Sequence, residues 1–221
     1  MKKLLLSGLS VLLAASSIPA SATVLSGVID GGSVKGVGSF VNLTGAAPFT
    51  VGQDNFNTDN LYAFDEAQGF VLTEALIANF GLTNIAAGTR VNSHLVFFDP
   101  LARETLQGTI TFDTPVLAAI TLRPQLIASN YLGATGVTYL DPGSVGLEPG
   151  IDFIKLGSPD TNSLRLQFLS TDAPGDHFRV ITLASAPVPE PATWAMMIAG
   201  VAAIGGGMRR RTKAALRYLP A

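Results

Sequence analysis

Leu164-Arg165-Leu166-Gln167-Phe168 alternates apolar and polar residues without a fault. Successive side chains of an extended chain point to opposite faces, so this run can bury both leucines and the phenylalanine together only as a strand. The same period of two recurs. Phe178-Arg179-Val180-Ile181-Thr182 places Phe178 and Val180 on one face. Leu106 to Phe112 turns Ile110 and Phe112 inward, and Val91 to Phe98 puts Val91, Leu95 and Phe97 on one side. Val116 to Leu122 reads as a strand buried on both faces. The runs are broken by Asp99-Pro100, Asp113-Thr114-Pro115, Asp141-Pro142-Gly143, Glu148-Pro149-Gly150, Ser158-Pro159-Asp160 and Ala173-Pro174-Gly175-Asp176. Proline presets φ, glycine supplies positive φ, and aspartate bonds back to its own backbone, so each break is a turn. Regular turns between half-buried strands predict an all-β fold: a single antiparallel β-sandwich or jelly-roll-like domain. Val71 to Ile77 is ambiguous between helix and strand, and Leu101 to Thr105 has the makings of one helical turn.

Both ends of the chain differ from this body. Lys2 and Lys3 precede an apolar run from Leu4 to Ala15, too short to span a bilayer, and Ala20-Ser21-Ala22 is a small-residue cleavage site. Residues 1–22 therefore read as a secretory signal peptide, cut after Ala22 by signal peptidase with Ala20 and Ala22 as its recognition positions. There is no cysteine, so the exported body holds together by burial without disulfides, and thiol catalysis and thiolate metal sites are excluded. Between Thr23 and Pro191 stand seven basic residues against sixteen acidic ones, a net charge of −9. An acidic body of that kind disfavours nucleic acid and anionic lipid. Residues 23–183 suit one domain with a sizeable core, and 184–188 form a spacer.

The last part of the chain has three segments in strict order. Pro189-Glu190-Pro191 is stiff and extended, because two residues lack an N–H and fix φ. Ala192 to Met208 contains no charge, and as a helix would rise roughly 26 Å, just short of a hydrocarbon core of about 30 Å. Trp194 stands at one end, where an indole prefers the headgroup level, and Arg209, Arg210 and Arg211 at the other, where basic residues stay cytoplasmic. The expected arrangement is a C-terminal transmembrane helix over 192–208, the body outside, and residues 212–221 as a cytoplasmic tail. A plain anchor and, less naturally, a buried core helix are the alternatives.

This tail resembles the PEP-CTERM sorting signal of Gram-negative bacteria, in the variant where Pro-Glu-Pro leads into Trp-Ala. The resemblance covers about the last 25 residues. It implies that residues 189–211 are read by exosortase, an integral-membrane cysteine transpeptidase, with Pro189, Glu190, Pro191, Trp194 and the arginines as the recognition elements. It also implies genomes that make exopolysaccharide. The residues after Arg211 depart from the family's usual abrupt end.

Chemistry in the body is sparse. His94 lies in the strand-like run from Val91 to Phe98, on the face opposite Val91 and Leu95, and reads as a satisfied strand residue. His177 follows Asp176 at a turn and reads as solvated. No G-x-S-x-G elbow supports a Ser-His-Asp site. Asp54-Asn55-Phe56-Asn57-Thr58-Asp59-Asn60 offers oxygen ligands, so weak calcium binding is open, though the spacing is not that of an EF-hand and a polar loop is the simpler reading. Tyr62 and Phe64, beside Asn60, could stack on sugar rings or pack in the core. Asn42-Leu43-Thr44 matches a glycosylation sequon that is common by chance. The expectation is a non-enzymatic surface or exopolysaccharide-matrix protein, without catalytic residues, metal ligands or a cofactor beyond that calcium option, carbohydrate binding being a refinement. Its partners would be signal peptidase, exosortase, the membrane and exopolysaccharide, with no nucleic acid. It would be exported across the inner membrane, anchored by the helix, then moved to the cell surface or matrix after processing. A secreted hydrolase or a calcium-dependent ligand-binding protein on the same export route is the alternative.

Overall fold

The computed structural model describes residues 23–143, 145–157, 161–184 and 196–205. The strands are β1 (Val24–Gly31), β2 (Phe40–Asn42), β3 (Phe49–Val51), β4 (Leu61–Asp65), β5 (Phe70–Val71), β6 (Leu76–Ile77), β7 (Phe80–Gly81), β8 (Asn84–Ile85), β9 (Arg90–Phe98), β10 (Glu104–Phe112) and β11 (Val116–Ile120). A short helix α1 (Arg123–Ala128) and a 3₁₀ turn (Asn130–Leu132) follow, then β12 (Val137–Tyr139), β13 (Phe153–Leu156), β14 (Ser163–Thr171) and β15 (Asp176–Leu183).

Two sheets share one core. The four-stranded sheet runs β1-β10-β14-β13, and the seven-stranded sheet runs β2-β4-β9-β15-β11-β7 with β5 also paired to β9. The alternating run of β14 puts Leu164, Leu166 and Phe168 inward, each no more than 1% exposed. They meet Ile110 and Phe112 of β10 and, from the other sheet, Val96, Phe98, Phe178 and Val180. Burying a side chain of this size contributes about 1.5–3 kcal/mol, so this inter-sheet cluster dominates the fold. The two-faced burial expected of β11 is present: Ala119 faces this cluster while Ala118 and Ile120 face away into another.

The seven-stranded sheet is covered on its second face too. Val91, Ile120 and Ile181 pack there with Leu76, Ile85, Leu126 and Leu132. Beside them Tyr62, Phe64, Leu95 and Phe97 pack with Val51. Every residue of β9 after Arg90 is consequently buried. This covering layer contains α1, which begins after the extended Leu122 with Pro124 in its first turn, where a missing N–H costs nothing.

The structure corrects the local expectations in three places. The ambiguous Val71 to Ile77 segment contributes to β5 and β6 rather than a helix, and β10 begins at Glu104, inside the segment expected to make a helical turn. The pairing is not purely antiparallel, because β2–β4 and β12–β3 are parallel. In the body, the described residues between 23 and 184 belong to one compact unit. In the tail, residues 196–205 are helical; ten such residues rise about 15 Å, half of a hydrocarbon core of about 30 Å. Among the described residues no helix is long and apolar enough to cross a membrane, and the rest of the expected 192–208 span lies outside them.

Candidate functional site

The strand directions give the body two poles. β15 and β9 pair from Asp176↔Phe98 at one end to Leu183↔Val91 at the other. At the Leu183 pole the Thr23 N–H donates to Asp113 Oδ1 at 2.9 Å, and the Leu183 N–H donates to the Pro115 carbonyl at 2.9 Å. One turn, Asp113 to Pro115, thus receives both the first described residue of the body and the end of its last strand. The chemistry-bearing side chains gather at the opposite pole, where the chain turns at Asp99, Gly175 and Asp152.

Three carboxylates meet there. Glu148, Asp152 and Asp176 each bring an oxygen within 4.8 Å of the others. The Leu169 N–H donates to Asp152 Oδ1 at 2.7 Å and the Glu148 N–H to Asp152 Oδ2 at 3.2 Å. The buried Thr171 hydroxyl donates to Asp176 Oδ2 at 2.7 Å. Burial pushes the Asp176 carboxyl up to about 8, opposed by the Thr171 bond and reinforced by the charges of Glu148 and Asp152. Partial burial and the neighbouring Asp152 push Glu148 up to about 7. Two buried aspartates with Glu148 at their exposed rim bring three like charges together, so the group either holds protons near neutrality or is suited to a hard cation through its oxygens. Glu148 and Asp152 also line a cleft of about 300 Å³ with Asn79, Phe80, Thr121 and Phe153. A carboxyl that stays protonated near neutral pH beside another carboxylate is the raw material of acid–base chemistry. Glu148-Pro149-Gly150 and Asp176 carry the residue types of turns, which hides the cluster in the sequence; its local signal is the four-residue spacing of Glu148 and Asp152 around a Pro-Gly turn.

The residues singled out in the sequence are placed differently. Asp54 to Asn60 wraps around Asp99, whose Oδ2 accepts the N–H groups of Asn55 at 3.3 Å and Phe56 at 3.0 Å. The loop thus directs donors, rather than oxygen ligands, at a common point. Burial raises the Asp99 carboxyl despite these donors, and its Oδ1 is buried without a partner among the described residues. Tyr62 stacks on Phe97 with ring centroids 4.8 Å apart, and Phe64 is 1% exposed. Both belong to the core, which removes them as a sugar platform. The sequon amide is engaged, Asn42 Nδ2 donating to the Val24 carbonyl at 3.0 Å.

Neither histidine faces solvent. His94 holds Asp65 Oδ1 at 2.7 Å through Nδ1 and Thr182 Oγ1 at 3.0 Å through Nε2. The connectivity is that of an acid–imidazole–hydroxyl relay, but His94 and Thr182 are 0% exposed and no substrate reaches the hydroxyl. His177, expected to be solvated, is 3% exposed. It is the second residue of β15 rather than part of the turn, and burial, with the Arg179 charge, pulls its imidazole down to about 3.

In the tail, Met196, Met197, Ile198, Val201 and Ile204 are exposed along the helical segment. Pro189, Glu190, Pro191, Trp194, Arg209, Arg210 and Arg211 lie outside the described residues, as do Ala20 and Ala22. No curated protein and no solved structure matches the chain. Residues 187–211 match the family model of the PEP-CTERM protein-sorting motif, the segment in which the rigid Pro-Glu-Pro, the uncharged run and the arginines follow one another. The chain is therefore a PEP-CTERM domain-containing protein, and its C-terminal motif implies export and sorting through exosortase.

Proposed function

We propose that the body is a non-enzymatic module delivered to the cell surface or to an exopolysaccharide matrix, anchored first by the tail helix and then processed by exosortase. The observation that carries this reading is the sorting motif at residues 187–211, which begins only a few residues after β15 ends at Leu183. Export would proceed by signal peptidase cleavage after Ala22, followed by recognition of Pro189, Glu190, Pro191 and the arginine cluster. The buried state of His94 and His177 supports a non-catalytic body. The deciding experiment is the intact mass of surface-extracted protein from cells with and without exosortase. A product lacking the arginines only when exosortase is present is expected; identical masses that retain Arg209 to Arg211 would leave anchoring and sink processing.

A second reading, a secreted hydrolase or a calcium-dependent ligand-binding protein on the same route, draws support from Glu148 and Asp152 in their cleft. A panel of polysaccharides, assayed for binding and for reducing ends with and without calcium, separates the two. Turnover or binding abolished by Glu148→Gln would favour this second reading, and an inert panel leaves the structural role standing.

A further inference from the structure

Regular structure in the body starts one residue after the expected cleavage point. Thr23 is half-buried, and its N–H lies 2.9 Å from Asp113 Oδ1. The Asp113 N–H returns a bond to the Thr23 carbonyl at 3.2 Å. The next amide, Val24, donates to Asp65 Oδ1 at 2.9 Å, and the Val24 side chain is already in the core at 3% exposure. Two consecutive backbone nitrogens at this boundary therefore each find a carboxylate.

We propose that Asp113 is the receptor for the α-ammonium created at Thr23 when the leader is cut after Ala22, so that export processing fastens the first strand to the body. The proposal rests on the signal-peptide reading above. Hydrolysis breaks the Ala22–Thr23 amide: water supplies the oxygen of the new Ala22 carboxylate, and the Thr23 nitrogen takes up protons to become an ammonium. One neutral donor is replaced by three charged ones at an atom already in hydrogen-bond range of a carboxylate. Charge-assisted bonds are shorter and about twice as strong as neutral ones. The charged and titratable groups facing this point are Asp113 directly, Asp65 through Val24, and His94 behind Asp65 through its Nδ1 contact. The same turn accepts the Leu183 N–H through Pro115, so the new pair forms where the chain leaves for its tail.

The experiment uses the full precursor, exported with its own leader and purified from membranes in detergent. N-terminal sequencing identifies the first residue, and ¹³C-formaldehyde methylation across pH titrates its α-amine in wild type and Asp113→Asn. The expected results are Thr23 as the first residue and an α-amine that titrates about half a unit higher in wild type than in the variant, the size set by an exposed pair. That difference should shrink in about 1 M salt. A Thr23 start with identical titration in both proteins overturns the ion pair and leaves the cleavage reading intact; a different first residue overturns both. Should Asp113→Asn fail to fold, the salt series on wild type alone decides, and an α-amine indifferent to salt rejects the proposal.

Discussion

Arg179 and Glu66 form a two-pronged ion pair with both side chains at 0% exposure: Nε donates to Oε2 at 2.6 Å and Nη2 to Oε1 at 2.9 Å. The remaining donors are used as well. Arg179 Nη1 donates to the Leu126 carbonyl and to Ser129 Oγ, and Ser93 Oγ donates to Glu66 Oε2 at 2.6 Å. The guanidinium carbon also lies 5.6 Å from the Tyr139 ring centroid. Burial alone would lower the Arg179 pKa, but the Glu66 carboxylate more than offsets this and leaves it raised. The pair bolts the α1 layer to the centre of the seven-stranded sheet.

Removing one partner strands a charge in a dry place, which costs about 3–5 kcal/mol. Arg179→Met and Glu66→Gln should each lower the urea midpoint by a corresponding amount. The double variant Glu66→Leu/Arg179→Met should recover most of the loss. Additive losses in the double variant would show that the two residues act independently.

The pole cluster and His177 give the body opposing responses to pH. Asp176, raised to about 8 from 3.8, keeps a proton in the folded state that the unfolded chain has lost. Stability from this group therefore falls as pH rises between about 4 and 8, by at most about 1.4 kcal/mol per unit. Glu148, raised to about 7, acts in the same direction. His177, lowered to about 3 from 6.5, does the reverse: the unfolded chain takes up the proton, so stability falls as pH drops through that window. The Asp176 and His177 slopes offset one another between roughly pH 4 and 6.5. Asp176→Asn should weaken the loss between pH 6.5 and 8, and His177→Gln the loss below pH 4. A wild-type urea midpoint that is level from pH 6.5 to 8 would contradict the assignment.

Gly175 turns the chain between β14 and β15 at φ +79°, and a Cβ there would stand 2.7 Å from Asp99 Cα. Backbone cannot move aside as a flexible side chain can. Gly175→Ala should therefore cost about 1 kcal/mol or more, read as a lower melting temperature. An unchanged melting temperature would mean the turn relaxes freely.

Asp99 staples the loop from Asp54 to Thr58, and its backbone carbonyl also accepts the Thr58 N–H at 3.0 Å. Asp99→Asn replaces a charged acceptor with a weaker one, and charge-assisted bonds of this kind contribute about 1.5–3 kcal/mol. Hydrogen exchange at the Asn55 and Phe56 amides should accelerate well beyond that of β9. Equal protection in both proteins would argue that another group holds the loop.

What the sequence made legible follows from how local each signal is. The Leu164 to Phe168 alternation, the double burial of Val116 to Ile120 and the ordered tail are all contiguous, so their meaning survives without the fold. Nothing near Arg179 in the sequence marks it as buried, because its partner Glu66 is 113 positions away. For the same reason the covering layer on the second face has no contiguous signature in the sequence. Asp176 and His177 have the local signature of a turn, whereas both are buried and paired with β9 at the start of β15. The Glu148, Asp152 and Asp176 cluster joins separate parts of the chain, which no spacing rule anticipates.

β15 is the last strand before the tail, yet it lies in the interior of its sheet, paired with β9 along its whole length and with β11 over half of it. A force applied to the chain beyond Leu183 enters the body at the end of this strand, and its component along the strand axis loads β15 lengthwise. Ladder bonds lie perpendicular to that axis, so such a load meets both flanking strands in shear, and many bonds must yield together. An edge strand loaded the same way would also be in shear, but against one neighbour instead of two. The C-terminal strand of the body is thereby held against a lengthwise load by two neighbours at once.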